Sequence, residues 1–393
     1  MAAGNLVRRP HGMISSAMPT PDLSPEDLRR YSRQIVLPEL GPEGQKKLKA
    51  ARVLVVGVGG LGAPLSLYLT AAGVGTLGLV DHDAVELANL HRQVLYSGES
   101  VGRPKLAEAE ARLKALNSGV RIIRHEERLT SRNALDIIRD YDVVADGTDN
   151  FPTRYLVNDA CVLAGKPNVY AAVFRFEGRL SVFDGRKGPC YRCLFPQPPA
   201  PGTVPDCAAG GVLGALPGVM GSLQAIEVVK LILGAGEPAI GKLVVFDALS
   251  MEWQTITIRK DPRCPLCGKA PSIQSLVDYE AFCGPGASEV SVEELKARLD
   301  RKEDFLLLDV REPGERELAC IPGSKLIPLG ELPKRLKELE PYRGRSILVH
   351  CRSGSRSAQA VRLLREKGFS GAVNVAGGIA AWSERIDPAV PKY

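Results

Sequence analysis

The amino-acid sequence predicts the α/β fold class, divided between two domains. Three observations carry that expectation. With 393 residues the chain exceeds what one ordinary core spans. Forty glycines and only 5% aromatic residues accompany apolar runs that alternate with helical patterns, which suits strand-to-helix turns better than a β-sandwich or coiled coil. A stretch rich in Pro, Gly and Ser at 271–286, "PSIQSLVDYEAFCGPG", lacks apolar periodicity and reads as a linker. The net charge of +6 is scattered among 45 acidic residues, so no stripe for nucleic acid is expected. A basic face for an acidic protein partner stays open.

The elements follow in order. Residues 1–23 have no apolar core behind their two arginines and read as a disordered tail, not a secretory signal; an organelle transit peptide is the alternative by composition. "LSPEDLRRYSRQ" sets Ser24 as a helix cap, Pro25 in the first turn and Asp27 at the capping-box distance. "ARVLVVGVGGLGAPLSLYLTAAGVGTLGLVD" then reads as strand, glycine turn, helix ended by Gly73, and strand. Further strands are expected at "RIIRHEERL", "YDVVADG", "NVYAAV", "RLSVFD", "KLVVFDA" and "WQTITIRK". From Ala208 to Ile226 the chain is uncharged but holds five glycines and Pro217, so a buried helix preceded by a loop is expected and no membrane span. The first domain occupies 24–270. Beyond the linker, "SVEELKARLD" is a helix, and "FLLLDVR", "KLIP", "SILVHC" and "AVNVAGG" are strands of a smaller α/β domain over 287–393.

"GVGGLG" at Gly57 to Gly62 fits G-x-G-x-x-G between a strand and a helix, with Asp81 closing the next strand. Such a turn admits phosphate to the backbone, and the acid can hold ribose hydroxyls, which alone would suggest NAD. The residues downstream do not suit NAD. "DHDAVELANLHRQ", "VGRPK" and "ADGTDNFPTR" place Asp81, Asn89, Arg92, Lys105, Asp149 and Asn150 near strand ends. A magnesium triphosphate needs cations for its oxygens and carboxylates for its metal, so ATP is the expected nucleotide. Singly, Arg92 and Lys105 read equally well as solvated surface and Asp149 as a helix cap.

Taken together, "RYSRQ", "GVGGLGAP", "NLHRQ", "VGRPK" and "TDN" resemble the ubiquitin-activating-enzyme-like adenylyltransferases, in particular activators of small sulfur-carrier proteins. The resemblance implies a Rossmann-like adenylyltransferase domain that binds Mg-ATP through Gly60, Asp81, Asn89, Arg92, Lys105, Asp149 and Asn150. It also implies that Arg33 reaches the nucleotide of a neighbouring subunit, hence a homodimer. Ala88 and His91 stand where that family often has serine and glutamine. The implied reaction converts a carboxylate into an acyl-adenylate, and the residues orient and neutralise two anions.

Nine cysteines are an odd number, which together with two C-x-x-C pairs fits a reducing cytoplasm better than secreted disulfides. Cys190 with Cys193, and Cys264 with Cys267, would suit a closed structural zinc site; two redox pairs or buried thiols are the alternatives. Cys207, in "PGTVPDCAAGGVLG", lies before a helix among small residues that keep a thiol accessible. The resemblance assigns the matching cysteine a covalent link with the carrier, although "DCAAGG" departs from the usual "TCAEAG". Cys161 reads as core, and Cys283 and Cys320 as ordinary thiols.

"CRSGSR" follows a buried strand, so that backbone N–H groups with Arg352 and Arg356 would cradle an anion at Cys351. An inert strand-end cysteine is the bland alternative. The C-x4-R spacing is one residue tighter than the phosphatase loop and suits sulfur better than phosphate. With "LLLDVREPGE", "IPGS" and "NVAGGIAAW" the segment resembles the rhodanese family, which implies a persulfide on Cys351. Cys320 stands where that family commonly has histidine, and Asp309 with Arg311 would support the loop.

The whole chain thus resembles the bifunctional adenylyltransferase and sulfurtransferase enzymes that serve molybdopterin synthase. The expected function is ATP-dependent adenylation of the C-terminal glycine of a ubiquitin-like sulfur carrier ending in Gly-Gly, followed by sulfur transfer to give a thiocarboxylate. Thiosulfate or a cysteine desulfurase would be the sulfur donor. The alternatives are a thioester-forming activator with a regulatory second domain, an NAD-linked oxidoreductase fused to a phosphatase, and a silent carrier-binding scaffold.

Overall fold

A computed structural model of the chain describes residues 21–199, 210–279, 282 and 289–391. Cys207, Cys283, most of the expected tail and much of the expected linker lie outside the described residues. Two compact units result, the first reaching Tyr279 and the second running on from there.

The first unit opens with α1 (Pro25–Arg30), where the Ser24 hydroxyl accepts from the Asp27 N–H at 3.1 Å and Asp27 Oδ2 accepts from the Ser24 N–H at 2.8 Å. That is the expected capping box. Helices α2 (Ser32–Ile35) and α3 (Gly41–Ala50) follow, the latter unforeseen because its polar residues mask a narrow apolar stripe. Then come β1 (Arg52–Val56), α4 (Gly62–Ala72) and β2 (Thr76–Val80), with Gly73 at φ 82° closing the helix in the left-handed region. The chain continues through α5 (Lys105–Leu116), β3 (Arg121–His125), α6 (Ala134–Arg139), β4 (Val143–Asp146), α7 (Phe151–Ala164), β5 (Asn168–Phe174) and β6 (Glu177–Phe183). It ends with α8 (Tyr191–Leu194), α9 (Ala215–Leu233), β7 (Lys242–Asp247) and β8 (Glu252–Thr257).

These strands form one sheet in the order β3-β2-β1-β4-β5-β6-β7-β8. The β3 to β5 half is parallel, as glycine-rich βαβ segments imply, but β6, β7 and β8 run antiparallel. Only Arg175 and Phe176 join β5 to β6, too short a connection for a parallel crossover. The long apolar helix α9 starts at Ala215 and packs against α4 and β5. Its length and composition would allow a membrane crossing, yet 56% of that stretch is buried within the protein. Fully buried Gln224 pins it, donating to the carbonyls of Asp146 (2.8 Å) and Val169 (2.9 Å).

The second unit comprises β9 (Glu289–Val290), α10 (Val292–Asp300), β10 (Leu306–Asp309), α11 (Pro313–Leu318), β11 (Lys325–Leu326), β12 (Ile347–His350), α12 (Ser355–Glu366), β13 (Ala372–Val375) and α13 (Gly378–Arg385). All its strands are parallel, in the order β11-β10-β12-β13-β9. Strand β9 has two residues, too few to leave an apolar signature. Alternation along β12 sends Ile347, Val349 and Cys351 into one apolar layer and Leu348 into the other.

In the first unit β1 lies between β2 and β4, so successive crossovers leave the sheet in opposite directions at that point. A crevice opens there at the carboxyl ends of the strands. Backbones meet closely in it: a Cβ on Gly62 would stand 1.9 Å from the Gly57 carbonyl oxygen. We therefore expect Gly62→Ala to destabilise the first unit by about 1–3 kcal/mol, as overpacking does. Urea unfolding followed by tryptophan fluorescence checks this; an unchanged midpoint would contradict it.

Candidate active sites

The crevice is a cleft lined by Gly57, Gly59, Gly60, Asp81, Arg92, Lys105, Asp149 and Asn150. Six of the seven residues expected at the nucleotide thus share one wall system. The seventh, Asn89, reaches it indirectly, its Oδ1 accepting from Arg92 Nη2 at 2.9 Å. Arg92 Nη1 lies 2.8 Å from His91 Nε2 and 3.2 Å from the Ala88 carbonyl. Because a guanidinium only donates, His91 accepts through Nε2 and orients the arginine. Of the two departures from the expected motif, His91 thus helps hold Arg92 through its side chain, whereas Ala88 contributes only a backbone carbonyl that any residue would supply.

Asp81 accepts from the Val58 N–H at 2.8 Å and the Asp83 N–H at 3.0 Å, which ties the end of β2 to the glycine turn. Buried Lys105 donates to Asp83 at 2.8 Å and lies 3.9 Å from Asp81. Tyr96 donates to the Val58 carbonyl at 2.8 Å. Burial raises its phenol well above the usual range, and the charges of Asp81 and Asp83 add to that. Asn150 caps α7, its Oδ1 accepting from the Thr153 N–H at 2.9 Å, while Asp149 stands exposed on the cleft. The helix cap that stood as the alternative reading of Asp149 is made by its neighbour.

Arg33 sits exposed on α2 and does not line this cleft. Three residues that the motifs did not single out do belong there or beneath it. Gln93 and Arg128 line the wall, and Asp146 accepts from the Thr148 N–H (2.9 Å) and hydroxyl (2.6 Å) under the "TDN" turn. Burial pushes the Asp146 carboxyl up against the opposing pull of Arg154. The "ADGTDN" signal itself contained Asp146; nothing local marked Arg128.

The four paired cysteines converge at the far end of α7. Sulfur separations are 4.0 Å for Cys190–Cys193, 3.7 Å for Cys190–Cys264 and 3.4 Å for Cys193–Cys267, and all four lie within 4.8 Å of one another. A tetrahedral ion with metal–sulfur bonds of about 2.3 Å sets its sulfurs about 3.8 Å apart, so this cluster fits a closed metal site. All four are free thiols, not disulfides. The crowded thiols act on one another: hydrogen bonds from its neighbours draw the Cys193 thiol down, while those of Cys190 and Cys267 are pushed up. Next to the cluster Arg192 and Asp159 form a buried pair, with Nη2 to Oδ2 at 2.7 Å, and Tyr279 donates to the same carboxylate at 2.7 Å.

In the second unit Cys351 directly follows β12 and is 1% exposed. Its sulfur accepts from the Gly354 N–H at 3.1 Å and lies 3.3 Å from the Ser357 hydroxyl, at the N-terminus of α12. The N–H donor and the helix N-terminus suit an anionic atom attached to that sulfur. Gly354 takes φ 99°, closed to residues with a side chain. Behind the loop, Asp309 and Arg311 are both fully buried and bidentate, at 2.9 and 2.6 Å. Burial alone would raise the Asp309 carboxyl, but Arg311 and His350 hold it below its usual range. Cys320 is exposed, and Cys161 lies in the core as expected.

Residues 31–266 match the ThiF family and residues 291–385 match a rhodanese-like domain. The chain is 46% identical over 389 residues to the probable adenylyltransferase/sulfurtransferase MoeZ of Mycobacterium tuberculosis, covering 95% of this chain and 97% of that one. It is 45% identical to the adenylyltransferase and sulfurtransferase MOCS3 of Bos taurus, over 97% of this chain and 90% of that one. The sulfur carrier protein adenylyltransferase of Thermus thermophilus is 57% identical over 264 residues, 66% of this chain and 97% of its own. Among solved structures, E. coli MccB with MccA-N7isoASN aligns with a TM-score of 0.55 at 25% identity, covering 62% of this chain and 75% of that one.

The cysteine cluster predicts that the purified protein carries about one metal ion per chain. Elemental analysis should find it lost in Cys264→Ser, with a lowered melting temperature; a wild-type protein free of metal would refute the site. His350 supplies a second expectation. Burial lowers its imidazole from 6.5 to about 4, despite the Asp309 charge 3.9 Å away. The unfolded chain binds a proton there that the folded chain refuses, so stability present above about pH 6.5 is lost as pH falls towards 4, by about 3 kcal/mol. Urea midpoints between pH 7 and 4 should fall less steeply in His350→Gln than in the wild type.

Proposed function

We propose a single reaction sequence for this chain, which belongs to the ThiF family and carries a rhodanese-like domain. It is an adenylyltransferase and a sulfurtransferase, and the two activities act in turn on a ubiquitin-like sulfur carrier ending in Gly-Gly. One observation carries this reading: a single chain holds both a glycine-turn cleft with Asp81, Arg92 and Lys105 and a Cys351 sulfur that accepts from the Gly354 N–H at a helix start.

In the first step the terminal carboxylate of the carrier attacks the α-phosphorus of ATP, forming an acyl-adenylate and releasing pyrophosphate. Each Asp81 oxygen has a second lone pair beyond its backbone bond and can accept from a ribose hydroxyl. Lys105 and Arg92 neutralise phosphate oxygens, and the N-terminus of α4 beside the glycine turn favours an anion there. Asp149 would hold magnesium, whose charge assists the departing pyrophosphate. Arg33 would come from a second copy. An apolar groove between α4 and α9, including Leu67, Tyr68, Val94 and Val219, supports a homodimer. The four-cysteine site would hold zinc in a structural role.

In the second step the terminal sulfur of a Cys351 persulfide attacks the acyl carbon and AMP leaves. Cys207 then attacks the Cys351 sulfur of the acyl disulfide, which releases the thiocarboxylate and joins the two cysteines as a disulfide. A thiol reductant restores both. The pathway would be molybdopterin or related sulfur-containing biosynthesis, in the cytoplasm, with thiosulfate or a cysteine desulfurase as donor.

The test is intact mass spectrometry of a Gly-Gly-tailed carrier incubated with the protein, Mg-ATP and thiosulfate. We expect one oxygen of the carrier to be exchanged for sulfur by the wild type and not by Cys351→Ala. A carrier that is adenylated or thioester-linked but never gains sulfur would instead establish a thioester activator with a regulatory second domain.

A further inference from the structure

The Cys351 loop contributes Arg356 as the second residue of α12, and α11 contributes Glu315 from 41 residues away. The two form a bidentate pair, with Nη1 to Oε2 and Nη2 to Oε1 both at 2.6 Å. Their side chains are 32% and 22% exposed, so water screens the pair only partly. Glu315 is itself held in place, its Oε2 accepting from the Glu312 N–H at 3.0 Å in the capping box of α11. The arginine charge that the loop carries is thus matched, oxygen for nitrogen, by a fixed carboxylate.

That pairing bears on which sulfur donor reaches Cys351. Thiosulfate is a compact dianion; a cysteine persulfide presents one negative charge at its reacting end. A carboxylate anchored on Arg356 cancels the charge that would draw a dianion in, and repels the second charge that a dianion brings. Resting on the persulfide reading of Cys351, we propose that Glu315 is a positioning residue that selects the sulfur donor by charge, through Arg356. It disfavours small dianionic donors and leaves the loop to singly charged persulfides. With thiosulfate, the Cys351 thiolate attacks the outer sulfur, a Cys–S bond forms, the sulfur–sulfur bond of the donor breaks, and sulfite leaves with the electron pair. Cyanide then takes the outer sulfur as thiocyanate and returns the thiolate.

The experiment is steady-state thiocyanate formation by the full chain, with thiosulfate and with cysteine persulfide as donors. Glu315→Gln keeps an oxygen for the Glu312 N–H while removing the charge. It should lower the KM for thiosulfate about tenfold, with the gain in KM and not in kcat, and change the KM for cysteine persulfide about twofold or less. Glu315→Asp, which retains the charge, should keep the wild-type preference, and adding Arg356→Ala to Glu315→Gln should remove the gain. An unchanged thiosulfate KM in Glu315→Gln, an equal gain with both donors, or a gain that survives loss of Arg356 overturns the proposal. If the wild type forms no thiocyanate that depends on Cys351, the persulfide reading falls, and this proposal with it.

Discussion

The close approach of three backbones at the head of the first sheet governs what the first unit can do. Gly57 donates to the Val80 carbonyl at 2.8 Å, and Gly147 donates to the Val56 carbonyl at 2.9 Å. A Cβ on Gly147 would stand 2.8 Å from the Gly57 oxygen, closer still to overlap than ordinary packing allows. The first turn of α4 can therefore sit directly over the gap between β1 and β4. Three further side chains at the cleft are attached to that turn. Asp81 binds the Val58 N–H, Tyr96 binds the Val58 carbonyl, and Arg92 packs beside Gly60. Phosphate recognition here follows from backbone geometry first and from charge second.

The second unit reaches a comparable end by a longer chain of contacts. The Cys351 and Arg352 carbonyls accept from the Ile379 and Ala380 N–H groups, so the loop is held by the start of α13. A Cβ on Gly378 would stand 2.3 Å from the Cys351 oxygen, which is why that turn carries two glycines. On the other side Asp309 orients Arg311, and Arg311 donates to the carbonyls of Glu315 (3.2 Å) and Ala319 (2.8 Å) at the end of α11. Removing one member of such a buried pair costs about 3–5 kcal/mol. Its stability is thereby coupled to the position of Glu315, and through Glu315 to the loop.

What was legible in the sequence was whatever a short segment could state by itself. The Ser24 capping box, the Gly57–Gly62 turn, the Gly73 stop and the strand preceding Cys351 each depend on neighbours a few residues away. Their signatures survive without the fold. The two C-x-x-C pairs announced ligands, but that Cys190 meets Cys264 at 3.7 Å and Cys193 meets Cys267 at 3.4 Å depends on a sheet that returns 74 residues later. The antiparallel half of the sheet was hidden for a similar reason, since β-branched runs look alike in either direction. Arg128, the Glu315–Arg356 pair and the burial of Gln224 against β4 and β5 are products of long-range packing, with no local pattern to reveal them.

Both units treat their cations alike, and that shared arrangement has a consequence for selectivity. Lys105 is buried, and a buried ammonium needs a counter-charge. Asp83 supplies it, holding Lys105 at 2.8 Å beside the glycine turn. A ligand that takes over Lys105 must therefore outbid a carboxylate, which a polyphosphate with several charges does and a lone carboxylate does not. Arg356 is held in the same way by Glu315, but there the opposing group is bidentate and anchored by a helix cap. Outbidding it is harder for a small dianion than for a polyphosphate. The same device, a cation stored on an internal carboxylate, thus suits a highly charged ligand in one unit and disfavours a moderately charged one in the other.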